Sequence, residues 1–205
     1  GEILSELAES IREEVITALN PEVLADAVRE LDSDDVVDLV EYLEDEQQET
    51  ILDALEDSDR VAVEQALSYP EESAARLMQR EVVATPEFWN VGQAIDYMRE
   101  RADLPEQFYH VILVDPRFKP VGHVMLGKLM ASPRRMLLSE ITEPGFRTFN
   151  ATVDEGDVAY AFNQYHLISA PVVDDNDRLV GVITIDDAMI VLDEEHDEDI
   201  LRLAG

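Results

Sequence analysis

Fourteen consecutive residues near the end of the chain, DDAMIVLDEEHDED (186–199), hold eight carboxylates, one histidine and no lysine or arginine. Charge at this density draws cations or a basic partner. It is not decoration for helix stability, because acids at a C-terminal helix end oppose the helix dipole. Glu195, Glu198 and Asp199 are spaced to share one helical face, and Asp34 and Asp38 repeat that geometry on another predicted helix. Like charges so placed destabilise a bare helix, so a bound cation relieves what the spacing costs. For any single acid the ordinary reading is a solvated face. His196 sits inside the cluster, where neighbouring carboxylates favour its charged form.

Other chemistry is sparse. His110, His123, His166 and His196 are scattered and form no i,i+4 pair or HExxH arrangement, so they read as packing or surface residues. Cysteine is absent, which excludes disulfides and thiolate zinc sites. No glycine-rich phosphate loop, activated serine or acid and base at catalytic spacing occurs, and no enzyme is expected. Phe88 and Trp89, after ATPE, are expected to cover core.

The elements that position these residues follow from repeats. At 205 residues and 46 % hydrophobic content the chain can bury one large or two modest cores. Fifteen basic against 47 acidic side chains give a net charge of −32, which repels phosphate backbones and anionic lipid surfaces, so nucleic acid is not an expected partner. No run of about 18 apolar residues offers a membrane span, and the N-terminal GEILSELAES lacks the features of a signal peptide.

Leucines recur every twelve residues at Leu7, Leu19, Leu31, Leu43, Leu55 and Leu67, with turn signals after several of them. Apolar Ala27, Leu39, Ile51 and Val63 complete one helical face, which predicts short helices stacked into a superhelix over residues 1–70. That segment holds 22 acids and three arginines.

From SYPEESAARLMQREVVATP onward, β-branched runs alternate with helical ones, which reads as α+β structure. HVILVDPRFKPVGHVMLGKLM (110–130) matches SAPVVDDNDRLVGVITIDDAM (169–189) without a gap: strand, turn, strand ending at Gly122 or Gly181, then a helix. The helices before them, VGQAIDYM and DEGDVAYAF, also correspond, with five extra residues in the first copy. Two tandem βαββα-like modules are implied.

These modules resemble a tandem pair of cystathionine-β-synthase (CBS) domains, with PVVDDNDRLVGVITIDDAM carrying the match. The order of acidic helical repeat, YPEESAARLM junction, CBS pair and acidic helix resembles the cytosolic region of MgtE-type magnesium channels. The resemblance implies four segments: an acidic helical domain at 1–70, CBS modules at 71–138 and 139–192, and the start of a connecting helix, EEHDEDILRLAG, at 193–205.

It also implies regulatory magnesium ions bound between the domains, held here by Glu2, Asp34 and Asp38 in the helical domain, Asp154 and Asp187 in the second module, and Glu195, Glu198 and Asp199 on the connecting helix. Gly156, His166 and Ile190 stand where the family pattern has acids, which removes part of that ligand set. Magnesium takes oxygen ligands and keeps its waters, so one or two carboxylates on each of two surfaces suit it. The expected function is a magnesium sensor that closes the pore of a channel. The expected partners are a second copy, through the CBS modules, and a membrane domain of the same protein, with the chain on the cytoplasmic face.

Two alternatives remain. CBS pairs often bind ATP or AMP between modules, and Thr184 and Asp187 would serve that cleft as hydroxyl and ribose anchor. The matching position of the first module is Lys128. A structural adaptor whose acidity gives solubility or binds a basic protein is the other.

Overall fold

The computed structural model describes residues 33–192 apart from 42, 44, 54, 103 and 106, together with 23, 28 and 31. The chain divides into two compact units, Gly1–Glu71 and Glu72–Gly205.

In the first unit, α1 (Ser33–Glu41), α2 (Asp45–Leu52) and α3 (Asp57–Leu67) begin at intervals of twelve residues, as the leucine spacing predicts. The predicted face is the core: Leu39, Ile51 and Val63 are fully buried, with Val28, Val36, Val37, Val40 and Ala66 beside them. Helix α1 packs on both α2 and α3. The leucines serve the turns. The Leu31, Leu43 and Leu55 amides donate to the carbonyls of Val28, Val40 and Leu52, three residues back in each case, so one tight turn recurs with the repeat. Leu7, Leu19 and Ala27 lie outside the described residues.

The second unit holds two three-stranded sheets of one topology. In the first, β1 (Ala84–Pro86) runs parallel to β2 (His110–Val114), which pairs antiparallel with β3 (Pro120–Met125). In the second, β4 (Phe149–Asn150), β5 (Ser169–Val173) and β6 (Leu179–Thr184) repeat this arrangement. Helices α5 (Val91–Glu100) and α7 (Glu155–Tyr165) form the crossovers, while α6 (Leu126–Ala131) and helical residues 185–192 close the modules. Both hairpins place a non-glycine residue in the left-handed region at the same turn position, Phe118 and Asp177. Ile112, Val114, Leu179 and Val182 form one buried cluster that joins the modules.

Two expectations are corrected. The strands do not end at Gly122 and Gly181 but run on to Met125 and Thr184. The glycines serve close approach instead: a Cβ at Gly181 would lie 2.7 Å from Met78 Sδ and 2.8 Å from the Gln79 carbonyl oxygen. Trp89 packs on the first module's core, but Phe88 is 70 % exposed, because the turn after β1 directs only one of two adjacent rings inward.

The modules also exchange segments. Residues 72–79, with α4 (Ala74–Leu77), bond to the second module: the Ala74 amide donates to Val153 O, the Glu155 amide to Glu72 O, and Gln79 and Val182 exchange amide bonds. Residues 136–143 do the same for the first module, through Leu138 to Trp89, Val91 to Met136, and Glu143 to His123. The expected boundary at 138/139 passes through this segment.

Candidate functional site

Asp34 and Asp38 both lie on α1 and are half-buried. Asp34 is in the first turn, where the helix dipole favours a negative charge. Asp154 is the N-cap of α7, and its side chain accepts from the Gly156 and Asp157 amides at 3.0 and 3.4 Å. That carboxylate has a structural role in holding α7, whatever else it binds. Glu2, Glu195, Glu198, Asp199 and His196 lie outside the described residues. His166 ends α7 as its left-handed C-cap, and Gly156 sits in the first turn of that helix.

Thr184 and Asp187 are brought together. Thr184 is the last residue of β6 and is buried, and its hydroxyl donates to the half-buried Asp187 carboxylate in the first turn of the closing helix. Thr184, but not Asp187, lines a small cleft between the modules, whose walls also include Glu81, Val82, Phe108, Tyr109, His110 and Ser169. Burial pushes the Tyr109 hydroxyl up, and the nearby charges of Asp186 and Asp187 add to this. No lysine or arginine is among the residues that line the cleft. At the matching position of the first module, Lys128 lies 3.7 Å from Glu143.

Among the described residues no three His, Cys, Asp or Glu side chains converge into a closed metal centre.

Sequence reasoning did not find a buried histidine pair in the first module. His110 on β2 and His123 on β3 stack with ring centroids 4.1 Å apart and planes 13° from parallel, and Phe146 meets His123 edge-on. His110 Nδ1 lies 2.6 Å from Ser169 Oγ in the second module. Burial, with the neighbouring His123, pushes His110 down to about 4, and burial also lowers His123. His123 Nδ1 is buried with no hydrogen-bond partner among the described residues. Unequal spacing hid the pair in the sequence, since only the antiparallel register of β2 and β3 makes the two rings neighbours.

A helical repeat followed by two segment-exchanged βαββα modules defines a tandem CBS protein with an acidic helical domain in front. Residues 1–72 match the family described as the MgtE intracellular N domain, and residues 138–194 match the CBS domain. The magnesium transporter MgtE of Thermus thermophilus is 33 % identical over 143 residues, 70 % of this chain and 32 % of that protein. The MgtE of Enterococcus faecalis is 30 % identical over the same share of each. A crystal structure of the cytosolic domain of the Mg2+ channel MgtE in complex with ATP superposes with a TM-score of 0.85 at 30 % identity, covering 93 % of this chain and 78 % of that one. The chain belongs to the MgtE family. It spans about a third of the length of the curated relatives it matches, and no helix among its described residues is long and apolar enough to cross a membrane.

Proposed function

We propose that the chain is the cytosolic magnesium-sensing region of a magnesium channel, in which hydrated ions bridge the acidic helical domain and the CBS pair and so hold the pore closed. The observation that carries this reading is charge. Residues 1–70 carry 22 acids and three arginines, and Arg60 is already engaged by both Asp53 and Glu64. The segment cannot neutralise itself from within, so its compact association with any acidic surface depends on cations. Asp34, Asp38, Asp154 and Asp187, with Glu2, Glu195, Glu198 and Asp199, are the proposed ligands.

Ions that bind the docked arrangement better than the separated one shift the population toward it by that difference in affinity. Low magnesium restores repulsion, releases the helical domain and opens the pore. The proposed partners are the membrane pore domain of the full-length protein, whose cytoplasmic face this region would occupy, and a second copy. Met130 and Met189 support a contact between copies: they hold the same position on the two module-closing helices and are 63 % and 43 % exposed.

The test is small-angle scattering of the chain, titrated with magnesium from zero to tens of millimolar against sodium chloride of matched ionic strength. The radius of gyration falls with magnesium and not with salt. Coincident curves would reduce the carboxylates to a solvated surface.

The Thr184–Asp187 contact beside the cleft supports a second reading, an adenine-nucleotide sensor. It ranks below the first because no lysine or arginine lines the cleft to meet the phosphates of ATP or AMP. Calorimetric titration with AMP and ATP separates the two.

A further inference from the structure

The modules meet through groups that a proton would disrupt. His110 and Ser169 hold the same position in the two copies, 59 residues apart, and bond to each other across the module boundary. His110 in turn stacks on His123, and both rings are about nine-tenths buried. The repeat does not require them: the second module has Ser169 and Val182 at these positions, one small and polar, one apolar, and neither titrates near neutrality.

A neutral imidazole whose Nδ1 is buried without a partner forgoes a hydrogen bond that water would supply. Two stacked imidazolium rings 4.1 Å apart would repel each other in a space that solvent reaches poorly. Proton uptake on either ring therefore favours an arrangement in which the boundary is hydrated.

We propose that His110 and His123 form a proton-operated clasp: with both rings neutral the first module seats on the second through Ser169, and protonation opens the cleft between them. The charged groups that face the pair set its balance. Glu143, on the exchanged segment beside β3, favours protonation of His123 and is itself offset by Lys128. Glu81 lines the cleft with His110. Neither carboxylate is a hydrogen-bond partner of an imidazole nitrogen, so burial dominates for both rings. The two rings take up protons when the modules part, and the closed-to-open ratio falls by up to tenfold per pH unit for each ring, between the ordinary histidine range and the depressed one. The clasp is independent of the magnesium reading.

The absence of cysteine makes a direct test clean. Spin labels at Arg135→Cys in the first module and Asn163→Cys in the second, both exposed positions, report inter-module distance in the full chain. Between pH 7.5 and 5 the distance distribution broadens or lengthens while far-UV circular dichroism is retained, and the change is lost in the His110→Ser, His123→Val variant. That variant borrows side chains the same register already carries, and His123→Val alone, which halves the effect, covers the case in which the double change does not fold. An unchanged distribution to pH 4.5, the same change without the histidines, or a change only on global unfolding would each overturn the clasp.

Discussion

His110 and Ser169 are equivalent residues of the two CBS modules, and their side chains touch, Nδ1 to Oγ, at 2.6 Å. Equivalent positions meet only beside the axis that relates the copies, so this bond marks the local two-fold of the pair. The same symmetry accounts for the exchanged segments and for the cross-link between the hairpin turns, where the Leu179 amide donates to Phe118 O and Lys119 pairs with Asp177 at 2.7 Å.

Acid should weaken the folded state through this contact. The folded protein holds His110 down at about 4, whereas the unfolded chain binds its proton near the ordinary 6.5. The unfolded state therefore carries more protons between these values. The stability contribution is fully present above about 6.5 and is lost progressively as pH falls toward 4. Urea midpoints at pH 7.5 and 5 should differ, and His110→Ser should flatten the difference.

Gly181→Ala and Gly127→Ala should act in opposite directions. At Gly181 the added methyl meets the Gln79 carbonyl oxygen at 2.8 Å, a backbone atom of the exchanged segment, and overpacking of this kind costs about 1–3 kcal/mol. At Gly127, inside α6, nothing lies within 4 Å of the added atom. Alanine there should stabilise by about 0.5–1 kcal/mol. Thermal unfolding of both variants checks the pair.

Asp154 can be divided into cap and charge. Asp154→Ala removes the acceptor for the Gly156 and Asp157 amides and should cost about 0.5–2 kcal/mol. Asn is as good an N-cap, so Asp154→Asn should keep most of the stability. If Asp154 also holds an ion, the Asn variant should raise the magnesium midpoint in the scattering titration. Urea unfolding and scattering on the same two proteins separate the roles.

Asp34→Asn with Asp38→Asn removes two like charges one turn apart but also the Asp34 charge that the first turn favours, so the stability of the helical domain without magnesium should change by no more than about 1 kcal/mol. The same change should weaken the magnesium-driven contraction several-fold in the scattering titration. A merely solvated face would leave the contraction unchanged.

The sequence by itself determined the local periodicities and the charge. The twelve-residue repeat fixes where α1, α2 and α3 begin, and Leu39, Ile51 and Val63 are buried as their spacing requires. The ungapped match of 110–130 to 169–189 reappears as one strand register in both sheets. Such features depend on neighbours a few residues away, which a linear pattern records.

Only the tertiary structure decided which segment completes which module, that Gly181 faces Met78, that Phe88 points outward while Trp89 points in, and that two histidines on separate strands stack against a serine of the other copy. The physical reason is the same in each case. These features depend on sheet pairing and on packing between segments distant in the chain, to which no local spacing corresponds.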